Sequence, residues 1–342
     1  METRKLQEVG GGTYTVSIPK EWARAHGFEA GMSVNLYTHL DGSIVVRGRT
    51  NDGENLAAVR LDVDGSGPER VKRTLRAALA VGFEAVTLAR AEPFTAEERR
   101  AVNAMVRGLV GTEVVDEADD EITVRNLLDA SDVSVRQSVV QLEFVALSMH
   151  RRATTSLVED PTDGAGGVHE QLRERGAEAE RLFGMVSRHF SRALVSLEEI
   201  DRLDVTRPDL FDYYETARHL RGVAREAVAV ARAGEQSVGP MPSEVSDAAD
   251  ATRSVVEDAS SAVLGDGEVE TIHRALDRSA DTRDEIDGLD ATLVDESTPT
   301  FTDSVVDAVA TARILDSLAR TLDHGDAVAD VAIRAFTRNE HL

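Results

Sequence analysis

Residues 3–49, TRKLQEVGGGTYTVSIPKEWARAHGFEAGMSVNLYTHLDGSIVVRGR, decide how the chain begins. Residues 4–9 read as a short strand, and Gly10-Gly11-Gly12 as a flexible turn. Residues 13–18 alternate, are β-rich and read as a second strand, stopped by Pro19. Residues 19–27 place proline at the start and glycine at the end of one short helix. Residues 34–39 and 44–47 flank Asp41-Gly42, a strong hairpin signal. Fifty residues of this kind have too small a core to be comfortable as a single copy.

The next 75 residues change character. Residues 56–63 read as a strand, 68–81 as a helix opened by Pro68, and 85–88 as a second strand. Thr95 with Glu98 forms a capping box for a helix reaching about Val110. Strands around 112–115 and 121–126 complete a small α/β module. From Asp132 onward every long segment is helical. Val135, Val139, Leu142, Ala146 and Met149 step by four and three, the spacing of a buried helix face. Leu182, Val186, Phe190, Leu194 and Leu197 read as a second such stripe. Pro208 opens a third helix running to about Arg232, and 233–242 reads as a linker. Breaks at 159–167, at Gly265-Asp266-Gly267 and near Pro299 divide the region into two halves of three helices.

Composition sets limits. The 342 residues suggest two or three domains. Aromatic residues make up only 4%, so the cores are built mostly from Val, Leu, Ala and Ile. The absence of cysteine excludes disulfides and thiolate metal sites. No apolar run approaches a membrane span, and the N-terminus lacks the apolar core of a signal peptide, so a cytoplasmic protein without membrane insertion is expected. Net charge is −24, and Lys5, Lys20 and Lys72 are the only lysines. That bias resembles the proteins of extreme halophiles; an ordinary acidic regulator is the alternative. Residues 1–50 differ, with Arg4, Lys5, Lys20, Arg24, Arg47 and Arg49 set against Glu2, Glu8, Glu21, Glu29 and Asp41. A near-neutral head on an acidic body fits a module that contacts nucleic acid.

The order of features in residues 3–49 resembles the AbrB/SpoVT family. The matching elements are a first strand with a basic pair, a strand ending in Ile18-Pro19, an amphipathic helix ending in Gly27, the Ala30-Gly31 turn and the Asp41-Gly42 hairpin. The resemblance implies a homodimer in which hairpins of two chains interleave into one swapped-hairpin β-barrel. It also implies DNA contacts from basic side chains of the first strand, the central loop and the helix. Arg4 and Lys5 match the first-strand pair, and Arg24 one helix arginine. Lys20, Arg47 and Arg49 add charge to the same head. Where the family often carries a loop arginine this chain has Gly10-Gly11-Gly12-Thr13, and Ala23 stands beside the helix arginine. A dimerisation clamp without DNA contact is the alternative.

Residues 132–337 resemble the PhoU family, whose fold is two three-helix bundles in tandem. SDVSVRQSVVQLEFVALSMHRRA, TRPDLFDYYETARHLRGVAREAVAVA and ILDSLARTLDHGDAVADVAI carry this likeness. The family often places an acidic i, i+4 pair on the third helix of each bundle, where two carboxylates on one face bind cations. Here the first pair reads Arg221 and Arg225. One positive charge about 5 Å from a divalent ion repels it by roughly 6–7 kcal/mol at an effective dielectric near 20. The second pair reads Ala319 and Asp323, with Asp326 and Asp330 further along. No family-type metal cluster and no cofactor are therefore expected. Arg218, Arg221 and Arg225 share one helix face and form a possible site for an anion or an acidic partner; pairing with acids of neighbouring helices is the alternative.

Other temptations fail. Gly65-Ser66-Gly67 lacks the Gly-Lys-Ser/Thr end of a phosphate loop, with Asp62 and Asp64 beside it. The nine histidines show no metal spacing, and no catalytic arrangement is legible, so no enzyme is expected. The expected division is 1–52 as the DNA-binding and dimerisation head, 53–128 as the α/β module, and 129–234 and 240–342 as two helical bundles. The expected function is transcriptional regulation of phosphate uptake through DNA. An adaptor docking on a phosphate transporter or signalling kinase is the alternative, its head only dimerising.

Overall fold

The computed structural model describes residues 3–38, 42–48, 56–65, 67–158, 167–237, 239, 241–265, 267–294 and 304–341. Asp41, Arg49, Ser66, the 159–166 part of the first helical break and Pro299 lie outside the described residues. The architecture is mixed: small hairpins, then an α/β sheet module, then helices.

The head contains β1 (Gln7–Val9), β2 (Thr13–Thr15), α1 (Lys20–Ala25), β3 (Asn35–Thr38) and β4 (Ile44–Arg47). β1 pairs antiparallel with β2, and β3 with β4, as two separate two-stranded sheets. Both first strands are shorter than their sequence pattern predicts. Arg4 and Lys5 precede β1, and residues 16–18 follow β2 without ladder partners. The reason is burial: none of the described residues up to Gly48 is buried, so nothing within one chain extends the ladder. The barrel expected from the resemblance is not closed by a single copy.

The α/β module comprises β5 (Ala58–Asp62), α2 (Pro68–Val81), β6 (Ala85–Ala89), α3 (Ala96–Arg107), β7 (Thr112–Glu117) and β8 (Glu121–Asn126). Its sheet runs β5-β6-β8-β7, with β5 parallel to β6 and the other pairs antiparallel. Leu88 and Ile122 are cross-strand partners, as are Val86 and Val124. All four are buried with Val71, Leu75 and Val102 of the covering helices. Thr95 and Glu98 form the anticipated capping box, and Arg90 pairs with the buried Glu98 at 2.6 Å.

The helical body consists of α4 (Val135–Thr155), α5 (Val168–Ala193), α6 (Leu197–Arg202), α7 (Arg207–Gly234), α8 (Ser243–Leu264), α9 (Val269–Val294) and α10 (Val305–His341). α4, α5 and α7 pack together, as do α8, α9 and α10. α7 also lies along α10 and α4 along α8, so one continuous core runs from Val135 to Leu322. Val135, Val139, Leu142, Ala146 and Met149 all lie in it. The second stripe is shorter than expected. α5 ends at Ala193, Leu194 is 70% exposed, and Leu197 opens the separate helix α6 behind the Ser196 cap. No described helix is long and apolar enough to cross a membrane.

α5 carries the α/β module. Arg188 donates from Nη1 to the Leu79 and Phe83 carbonyls at 3.1 and 2.8 Å, and Arg192 from Nη1 to the Gly82 carbonyl at 2.9 Å. These arginines donate to carbonyls at the negative end of α2. Gly82 allows this approach: its φ is +112°, and a Cβ would lie 2.5 Å from Arg192 Cγ. Arg192 continues through Nε to Glu199, which also accepts from His189 Nδ1 at 2.7 Å. Arg188→Met keeps most of the buried stem but removes the guanidinium donor from the Phe83 carbonyl, while the Leu79 carbonyl keeps the Gly82 amide at 3.1 Å. It should destabilise the seam by about 1–3 kcal/mol, read as faster amide exchange at the C-terminal end of α2 while the α4 amides keep their protection.

Candidate nucleic-acid interface

The head's turn is built by glycine. Gly10 and Gly11 have φ of +65° and +69°, a conformation that favours a tight two-strand reversal. α1 is held by its own aromatic cluster. Trp22 stacks on His26 with ring centroids 4.4 Å apart, and Phe28 lies 5.5 Å from Trp22. His26 Nδ1 hydrogen-bonds the Trp22 carbonyl oxygen at 2.8 Å, and the Phe28 amide donates to the Ala23 carbonyl at 2.8 Å. These contacts were not read from the sequence, although the spacing of Trp22, His26 and Phe28 was available as a signal.

The cations fall into two groups. Lys5, Lys20 and Arg24 are exposed and have no ion pair among the described residues. Arg4 is exposed but engaged, and Arg47 is partly buried with its guanidinium 5.7 Å from the Tyr37 ring centre. Arg49 lies outside the described residues. The free cations stand on the segment before β1 and on α1. A phosphate approaching this surface meets charges that need not first break an internal pair.

The helical arginines are arranged otherwise. Arg225 donates to Glu180 of α5 at 2.6 Å, and Arg221 lies 3.7 Å from the same carboxylate. Arg221 also sits over the Phe183 ring, 4.0 Å from its centre, and burial lowers its pKa. Arg218 is 3.6 Å from Glu215, one turn away on its own helix. Arg221 and Arg225 therefore have a carboxylate of a neighbouring helix nearby, and Arg218 one of its own helix. In the second half Arg283 of α9 donates to Asp323 at 2.8 Å and to Asp326 at 3.1 Å. One guanidinium thus bridges those two acids.

Comparison with protein families gives a match for the head. Residues 7–51 match the family described as antidote-toxin recognition MazE, bacterial antitoxin. This segment is of the MazE/AbrB type, and the match ends before the α/β module begins. Comparison with curated proteins gives no match.

Proposed function

We propose that the chain is a homodimeric, DNA-binding transcriptional regulator with a non-enzymatic helical body that senses or relays a signal. The observation that carries this reading is the state of the head. Leu6, Tyr14, Leu36 and Ile44 are each about two-thirds exposed, while Lys5, Lys20 and Arg24 have no ion pair among the described residues. Apolar surface of that extent in so small a segment calls for a partner, and a second copy supplies it with matching hairpins. The match at residues 7–51 supports the same assignment.

The PhoU-like pattern of the body supports a role in phosphate uptake. In that role the bundles respond to a transporter or signalling protein in the cytoplasm. The arginine-rich acidic composition supports a halophilic archaeal origin. Toxin recognition is a second reading, favoured by the name of the matched family. Chromatin immunoprecipitation separates the two: enriched sites near phosphate-transport genes support the first. Absence of enriched sites with an intact Lys5 and Arg24 head overturns it. Light scattering on the purified chain should give twice the 37.0 kDa chain mass. A monomer at micromolar concentration would contradict the paired-hairpin head.

A further inference from the structure

α7 of the first half and α10 of the second lie along each other, and two histidines meet across that joint. His219 Nδ1 and His324 Nδ1 stand 3.2 Å apart, their ring centres are 5.4 Å apart, and both residues are partly buried. The contact is built around a glycine. A Cβ on Gly222 of α7 would lie 2.2 Å from His324 Nε2, so any other residue there would displace the ring. On the far side of the same stretch of α10, Val255 and Val256 of α8 pack against Gly325. Arg320 of α10 reaches Glu226 of α7 at 3.0 Å, and Arg338 of α10 reaches Asp209 and Asp212 of α7 at 3.1 and 2.7 Å. The histidine pair thus lies between two further polar contacts that join the same two helices.

Proton counting limits what this contact can hold. A neutral imidazole has one N–H and an imidazolium has two. At hydrogen-bond distance one Nδ1 donates and the other accepts with its lone pair, so the space between them takes a single proton. Two neutral rings meet that condition, and so does one cation donating to one neutral ring. Two imidazoliums do not: both nitrogens are then donors, and two like charges meet at contact. The surroundings oppose added charge. Burial, then His324, Arg218 and Arg334, lower the His219 pKa to about 4. Burial also lowers that of His324, with Arg218 and Arg320 adding to the effect and Glu226 and Asp323 opposing it. Glu226 is engaged by Arg320, and Asp323 by Arg283 of α9. Beyond these, Glu180 of α5 is engaged by Arg221 and Arg225, and His150 of α4 interacts electrostatically with Arg253 and Asp250 of α8.

We propose that the His219–His324 contact is a proton-sensitive clasp between the two halves of the helical body, closed while the facing nitrogens share one proton and released when both rings are protonated. Histidines freed from the contact protonate near pH 6.5. The open joint therefore binds more protons than the closed one, and acid shifts the balance toward it. The contact keeps its full strength above pH 6.5 and loses it as pH falls toward 4. Each histidine that protonates only on release multiplies the open fraction by about ten for every pH unit below 6.5. One flank of the joint yields in the same direction. Burial raises the pKa of Asp212, so acid also weakens its hold on Arg338.

Amide exchange of the full chain tests the clasp, with a metal chelator present and intrinsic rates corrected at each pH. Between pH 7.5 and 5.0 the α7 and α10 amides around His219 and His324 should lose about tenfold more protection in the wild type than in a His219→Asn/His324→Asn variant. Asparagine offers an amide near the Nδ1 position and does not titrate. His219→Asn alone should give an intermediate loss, and it decides the matter if the double variant does not fold. His150 and Asp212 are present in every protein compared, so their titration cancels. A contact that is only structural would change protection by the same factor at both pH values, and that result overturns the proposal. A pH-dependent loss spread equally over α5 and α9 overturns it too, because the whole body then unfolds and no single joint is released. No readout uses DNA, so the result stands apart from the function proposed for the head.

Discussion

Replacing Lys5 and Arg24 together by alanine should lower affinity for random-sequence duplex DNA about a thousandfold at 0.15 M salt. The estimate follows from counterion release, which contributes about 0.9 to the salt slope for each phosphate neutralised. Two side chains in each of two protomers make four contacts, so the slope of log affinity against log salt falls by about 3.6. Extrapolated to 1 M, where this contribution vanishes, four contacts amount to about three decades at 0.15 M. Both residues are exposed and have no ion pair among the described residues, so the substitution leaves no buried group behind. Fluorescence anisotropy at several salt concentrations measures affinity and slope together, and light scattering checks that the variant keeps its assembly. An unchanged slope would show that the head only dimerises. Lys20→Ala alone should lower the slope by about 1.8 per dimer on the same reasoning.

Acid should destabilise the helical body through His150. This residue of α4 is fully buried in the core, and neither ring nitrogen has a hydrogen-bond partner. Burial pushes its pKa down to about 4; Arg253 of α8 adds to the effect and Asp250 opposes it. The folded state therefore holds a neutral ring, whereas the unfolded chain protonates near pH 6.5. Below that pH the unfolded state binds more protons, so stability contributed by the neutral ring is intact above pH 6.5. It is lost progressively as pH falls toward 4, and the loss reaches about 3 kcal/mol. His150→Leu removes the titration without breaking a hydrogen bond. The stability difference between variant and wild type should stay flat above pH 6.5. It should then move in favour of the variant by about 1.4 kcal/mol per pH unit below it. Urea unfolding from pH 7.5 to 4.5 measures this, and a difference independent of pH would remove His150 as the cause. Comparing the two proteins also cancels the titration of the many carboxylates they share.

Much of the element order was legible because local rules act locally. Pro68 and Gly82 bound α2 where punctuation by proline and glycine places them. The Thr95–Glu98 pair caps α3, and the stripe from Val135 to Met149 faces the core. The misread places are those where local pattern lacked its tertiary condition. Residues 4–6 and 16–18 have strand character, but within one chain the hairpin stops at Gln7 and Thr15. Leu194 keeps the helical spacing, but α5 has already ended beneath it.

The sequence by itself determined the plan: a small glycine-turned head, an α/β module and an acidic helical body, without thiol chemistry. It also put the head's cations on the page. Only the tertiary structure decided which charges are committed and which are free. Glu180 reaches Arg225 from 45 residues away, Arg283 reaches Asp323 from 40, and Arg188 reaches Leu79 from 109. Helical periodicity places a side chain on a face, but does not say which face of another helix meets it. That choice is made when the apolar stripes of α4, α7, α8 and α10 close into one core, and the charged side chains then pair with whatever the packing brings alongside.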